Sequence, residues 1–123
     1  MILGIGIDMA EISRFEGEHA SKAFLHKVFT PDEIEECLAE KNPAEKLAGK
    51  FAVKEAFMKA IGAGIQQEVW FTNIEVLHEN SRQPQVNALK KAKQYFDQLG
   101  VNQIHVSLSY SSTMAAAVVV LEK

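Results

Sequence analysis

The chain has 123 residues, 13 Lys and Arg against 16 Asp and Glu, a formal net charge of −3, and 47% hydrophobic residues. That length supports one folded core and is too short for two. The acidic balance disfavours bulk attachment to nucleic acid or anionic lipid, and the single cysteine, Cys37, excludes an intrachain disulfide and a thiol zinc cluster.

Residues 1–7 form an apolar run far short of the roughly 18 residues that span a bilayer. Asp8 follows at once and no basic leader precedes, so the run reads as a core strand and not as an anchor or a signal peptide. Leu3, Ile5 and Ile7 share one face. Gly4, Gly6 and Asp8 share the other, where the missing Cβ atoms let a backbone or a ligand come close. Ile12 and Phe15 recur at helical spacing and predict a helix over 9–22, weakened by Gly17. Asp8, with Glu11 three residues on, is then either the N-cap of that helix or a site acid.

Thr30-Pro31-Asp32-Glu33 and Asn42-Pro43-Ala44-Glu45 each spell a capping box with proline in the first helical position. They predict helices over 31–38 and 43–61, the second stopped at Gly62. Around the long helix Leu47, Phe51, Val53, Phe57, Met58 and Ile61, with the alanines, leave almost no polar stripe, so it must be buried on several sides. Cys37, with nothing nearby to activate it, reads as core filling. Lys46, Lys50 and Lys54 at four-residue spacing read as a solvated edge, with Lys50 a candidate for an anion. Glu55 and Lys59 are either an i,i+4 ion pair or a carboxylate for a hard cation with a lysine for phosphate charge. The segment Gly62-Ala63-Gly64 is a helix stop or a loop that lets phosphate reach backbone N–H groups.

β-Formers predict a strand over 69–77, turn residues follow at 80–84, and a short partner strand is expected over 85–87. A helix over 88–99 ends at Gly100. Ile104, Val106, Leu108 and Tyr110 then alternate with His105, Ser107 and Ser109, and residues 114–121 can return beside them. His105 is either an ordinary hydrogen-bonded side chain or a phosphate contact. The order β-α-α-α-β-β-α-β-β, with strands and helices partly segregated, predicts a single α+β domain over 1–123.

Three blocks together resemble one known family. Ile5-Gly6-Ile7-Asp8, then Lys54-Glu55-Ala56-Phe57-Met58-Lys59, then His105-Val106-Ser107-Leu108-Ser109 are similar to the 4′-phosphopantetheinyl transferase superfamily and, within it, to the holo-acyl-carrier-protein synthase group, over essentially the whole chain. The resemblance implies transfer of the phosphopantetheine arm of coenzyme A to a serine of an apo acyl carrier protein, releasing adenosine 3′,5′-bisphosphate. It implies Mg²⁺ held by Asp8 and Glu55, and Lys59 beside the pyrophosphate. Glu55 is the natural proton acceptor for the serine, directly or through a water on the ion.

By the same resemblance Lys50, Lys59, Gly62, Gly64 and His105 would hold coenzyme A, and Arg14 would meet an acidic carrier protein. A cytoplasmic homotrimer with sites shared between subunits is also implied, and would account for the all-round apolar helix. Where relatives continue the last block with Ser-His, this chain has Ser109-Tyr110. That departure keeps a rival in view, a coenzyme A or nucleotide binding module without transfer activity. A second rival is an oligomeric structural protein in which Glu55 and Lys59 are only an ion pair.

Overall fold

The computed structural model describes residues 1–62, 69–78 and 83–123. Strand β1 (Ile2–Glu11) leads through 3-10 turns at Ile12–Phe15 and Gly17–Ala20 into helices α1 (Lys22–Val28), α2 (Pro31–Leu38) and α3 (Pro43–Ile61). A 3-10 turn at Phe71–Asn73 precedes β2 (Ile74–Leu77) and β3 (Gln85–Ala88), and α4 (Lys90–Leu99), β4 (Gln103–Tyr110) and β5 (Met114–Glu122) complete the chain. β1, β5 and β4 form an antiparallel sheet with β5 central, and β2 and β3 form a separate antiparallel pair. The expected α+β order holds. No described helix is long and apolar enough to cross a membrane.

The helix expected over 9–22 is absent. β1 runs on to Glu11 because its ladder with β5 continues to Glu11 opposite Met114, and the Ile12 N–H then donates to Thr113 O at 2.9 Å. Asp8 therefore lies within a strand and caps nothing. Ile12 and Phe15, three apart, are both buried at 3-10 spacing. Gly17 at φ +53 breaks any continuation, and α1 starts only at Lys22, capped by Ser21. The strand expected over 69–77 shrinks to Ile74–Leu77, and the helix expected from 88 starts at Lys90.

Both proline-led helix starts stand where they were read. Thr30 and Glu33 exchange both halves of a capping box, and the Asn42 side chain accepts from the Glu45 N–H at 3.3 Å. Gly62 ends α3 at φ +73, the left-handed conformation a glycine adopts without strain.

Of α3 only Lys59 is exposed. The chain's own β1, β5, α2, β2 and first 3-10 turn surround the helix, so no second copy is needed to account for its apolar circumference. The apolar face that does remain open lies elsewhere, on the far side of the sheet. Ile5, Ile7 and Met9 point outward from β1 at 64%, 65% and 63% exposure, so the strand expected in the core is covered on its glycine face only.

The glycine face is the one that packs. A Cβ on Gly4 would stand 1.9 Å from the Ala60 carbonyl oxygen, and one on Gly6 1.9 Å from that of Ala56. Two residues of strand advance about 6.6 Å and four of helix about 6 Å, so the strand and the helix stay in step along their contact. The next inward residue after Gly4 and Gly6 is Asp8, which this step delivers opposite Ala52, within one turn of Glu55. Gly6→Ala should force β1 off α3 and cost roughly 1–3 kcal/mol or more. Urea denaturation checks this, and an unchanged midpoint would show that the contact can yield.

Candidate active site

Asp8 on β1 and Glu55 and Lys59 on α3 meet as the sequence blocks suggested. Lys59 donates to Asp8 Oδ1 at 3.1 Å and to the Ile7 carbonyl at 2.9 Å. It makes no ion pair with Glu55, so the bland i,i+4 reading gives way to a contact across 51 residues of sequence. The Asp8 side chain is 14% exposed, and its Oδ2 is buried with no hydrogen-bond donor.

The Glu55 carboxyl is pushed up to about 7. Partial burial is the main cause, followed by Asp8, whose carboxylate is close enough to share a proton with it and whose charge opposes ionisation. Arg14 and Lys59 pull the other way. Two acids are thus held together with one lysine and a nearby arginine, and one oxygen lacks a donor. This is a pair that can take a hard cation. Among the described residues no group of three or more His, Cys, Asp and Glu is placed to do so.

Because the folded carboxyl of Glu55 binds its proton up to about 7 and the unfolded one only to about 4.5, the folded state carries more protons between those values. Stability from this group is therefore lost as pH rises from about 4.5 to about 7 and stays lost above. In chelator, Glu55→Gln should gain melting temperature relative to the parent between pH 5 and pH 8. Parallel thermal scans at the two pH values check this, and a constant difference would contradict it.

Arg14 is exposed on the first 3-10 turn, its guanidinium 5.0 Å from the Phe51 ring centroid and 5.9 Å from that of Phe15. Those aromatic faces hold the cation near Glu55 while leaving it open to a partner. Gly62 lies at the end of α3, one turn beyond Lys59; Gly64 falls outside the described residues.

Lys50 and Lys54 are not a solvated edge. Both are buried, because α2 and β2 cover that side of α3. Lys54 donates to Glu33 Oε1 at 2.6 Å, Phe71 O at 2.9 Å and Ile74 O at 2.6 Å, which uses all three of its N–H groups. Lys50 donates to Glu36 and to the Val76 carbonyl, and lies 3.4 Å from His78 Nδ1.

Lys50 also borders a cavity of about 450 Å³ with Lys46, His78, Ser107 and Tyr110. Tyr110 fits there because Gly49 has no side chain; a Cβ would stand 2.3 Å from the tyrosine oxygen. Lys46 lies 5.2 Å over the Tyr110 ring, and burial raises the phenol to about 12. Cys37, on the same cavity, is pushed up to about 12 by burial, so its thiol is inert filling as expected.

His105 sits on the outward face of β4, its Nε2 3.0 Å from Glu122 Oε1. The sheet separates it from the inward-facing Asp8 of the same chain. The residues missed by sequence reading are Glu33, Glu36 and Glu122. Glu33 was visible only as the last residue of a capping box, and the other two carried no local signal.

An acid at the inner face of a strand, an acid and a lysine one turn apart on the crossing helix, and a glycine-only seam between them define the class. The chain belongs to the 4′-phosphopantetheinyl transferase superfamily, which residues 4–119 match. Its relatives are more particular. It is 42% identical, over the full length of both chains, to the holo-[acyl-carrier-protein] synthase of Maridesulfovibrio salexigens. Among solved structures it matches the holo-[acyl-carrier-protein] synthase of Neisseria meningitidis at TM-score 0.88 and 33% identity, covering 100% of both chains. It matches that of Helicobacter pylori, in complex with coenzyme A, at TM-score 0.80 and 32% identity, covering 96% of this chain and 99% of the other.

Proposed function

We propose that the chain transfers the 4′-phosphopantetheine arm of coenzyme A to a serine hydroxyl of apo acyl carrier protein, with Mg²⁺ at Asp8 and Glu55. The carrying observation is the Asp8–Glu55 pair: two carboxylates forced together at the glycine seam, with Asp8 Oδ2 lacking any donor. The donor set suits Mg²⁺, which usually takes one or two carboxylates and leaves its other positions to water and phosphate oxygens. Bound there, the ion would offset diphosphate charge as the bond to the leaving group lengthens.

The protein's own groups have separate roles. Glu55, the carboxylate of the pair on α3, accepts the serine proton, directly or through a water. Lys59, exposed and anchored by Ile7 O and Asp8, meets the departing phosphate. The open guanidinium of Arg14 faces the carrier protein. Gly62 and Gly64 admit the phosphates, and Lys50 and His105 hold the nucleotide end, Lys50 from the wall of its cavity.

His105 and Asp8 lie on opposite faces of the sheet, so a shared site requires a second copy to supply the histidine. The open face of Ile5, Ile7 and Met9, with Val118 and Val120 beside them in register, supports self-association through that face, and the family resemblance sets the expected copy number at three. Ile7→Glu should dissociate the assembly, read as a lower mass by size-exclusion chromatography with light scattering. A monomeric parent protein would end the shared-site reading. A reducing cytoplasm suits the single thiol.

The test of the activity is intact-mass analysis of apo acyl carrier protein incubated with the protein, coenzyme A and Mg²⁺. A mass gain equal to one phosphopantetheine arm, abolished by chelator, is expected. Coenzyme A binding without any mass gain on several carriers would instead favour a binding module.

A further inference from the structure

On the outer face of the sheet, one contact between two ionisable side chains stands among uncharged neighbours. His105 lies opposite Val120 on β5, and Glu122, opposite Gln103, is its diagonal neighbour on the same face. Diagonal positions on a sheet are within reach of long side chains, and here Nε2 and Oε1 come to 3.0 Å. The nearby outward positions Ile5, Gln103, Ser107, Val118 and Val120 carry no charge. Besides His105, the charge that acts on Glu122 is the Met1 ammonium, which is hydrogen-bonded to the Lys123 carbonyl.

The hydrogen bond from His105 holds the Glu122 carboxyl below the usual carboxylate range. A carboxylate only accepts, so Nε2–H is the donor to Glu122, and only in the imidazolium form does Nδ1 also carry a proton that it can donate to an anionic partner. Within the single chain the pair adds little stability, because its side chains are 55% and 40% exposed and exposed pairs of this kind contribute little. The contact orients a ring on a face that otherwise suits burial against a second copy.

We propose that Glu122 is a positioning residue for coenzyme A: by accepting from Nε2–H of a protonated His105 it aims the ring's Nδ1–H at a phosphate of the substrate bound between copies. The inference rests on the reading of His105 as a coenzyme A contact. Glu122 itself touches no substrate and acts only through the ring, as carboxylates do behind ligating histidines.

The experiment is steady-state kinetics at saturating apo carrier protein, varying coenzyme A, with oligomeric state and melting temperature recorded for every variant. Glu122→Ala should raise KM for coenzyme A about tenfold, the scale of losing one hydrogen bond to a charged group, while kcat stays within about twofold. Glu122→Gln keeps an acceptor and should recover part of the loss. His105→Ala should raise KM at least as far, and Glu122→Ala should add nothing in that background, because the two act as one unit.

If His105→Ala raises KM and Glu122→Ala does not, the positioning role is wrong and the histidine reading survives. If His105→Ala leaves KM unchanged, both are wrong. Additive effects, or a change of oligomeric state in Glu122→Ala, would assign Glu122 to the interface and overturn the proposal.

Discussion

Glu55→Gln should lower the rate of arm transfer by about 10²–10⁴-fold, the range associated with loss of a positioned general base, while leaving the protein folded. The amide keeps the shape of the side chain and removes both the proton acceptor and one of two anionic ligands. Asp8→Asn should lose activity comparably through the ligand set alone, since Asp8 faces Lys59 and Glu55 without being the proposed base. The two variants separate in stability. Glu55→Gln relieves a carboxylate pair whose ionisation opposes folding, so in chelator it should melt above the parent at pH 8. Asp8→Asn also loses the charge that Lys59 pairs with, which partly cancels the relief. Mg²⁺ should raise the melting temperature of the parent but of neither variant, because a ligand stabilises only the state that binds it. Intact-mass time courses and thermal scans with and without Mg²⁺ supply both readouts. Parent-like transfer rates in both variants would remove the metal and base assignments together.

The second large effect is on folding. Glu33 is fully buried and is a junction of three elements: it accepts from Thr30 N and Lys54 Nζ through Oε1 and from Val76 N through Oε2. Glu33→Ala leaves a buried ammonium without its counter-ion and two backbone N–H groups without acceptors. Breaking one side of such a pair costs about 3–5 kcal/mol, a large part of the roughly 5–15 kcal/mol that holds a domain together. Lys54→Met should cost a similar amount, because Glu33 then stays buried as an unpaired anion. Burial already lowers the Lys54 ammonium from its ordinary range despite Glu33 beside it. Replacing both, as Glu33→Leu with Lys54→Met, removes the unpaired charge but leaves Thr30 N, Val76 N, Phe71 O and Ile74 O without their partners, so it should cost less than the sum of the single changes and still be destabilising. Urea unfolding at constant slope measures all three, and single-variant losses below about 1 kcal/mol would show that water or another group takes over the pairing.

These two clusters explain why the segment Lys54-Glu55 serves both the fold and the chemistry. The neighbours lie about 100° apart on α3, so one faces α2 and β2 while the other faces β1. Lys54 locks the helix against its support, and that lock presents Glu55 to Asp8. Where the sequence alternates purposes at helical spacing, both are visible only when the surrounding elements are in place.

By itself the sequence determined what short-range physics decides. The Thr30 box and the Asn42 cap close within three residues, Gly62 and Gly100 stop helices through their own backbone freedom, and β4 and β5 alternate inward and outward at period two. The Asp8, Glu55 and Lys59 constellation was legible too, though only through its resemblance to a family, since no local rule joins a strand acid to a helix 47 residues away.

Tertiary structure decided which face of each element is inside. Ile5 and Ile7 look like core residues by hydrophobicity, yet the glycine face wins the packing because only it lets β1 touch the backbone of α3. Lys50 and Lys54 look solvated by charge, yet partners 14 and 21 residues away, on α2, bury them. Burial is a property of the assembled neighbours, and a charge becomes affordable inside only when distant groups converge on it.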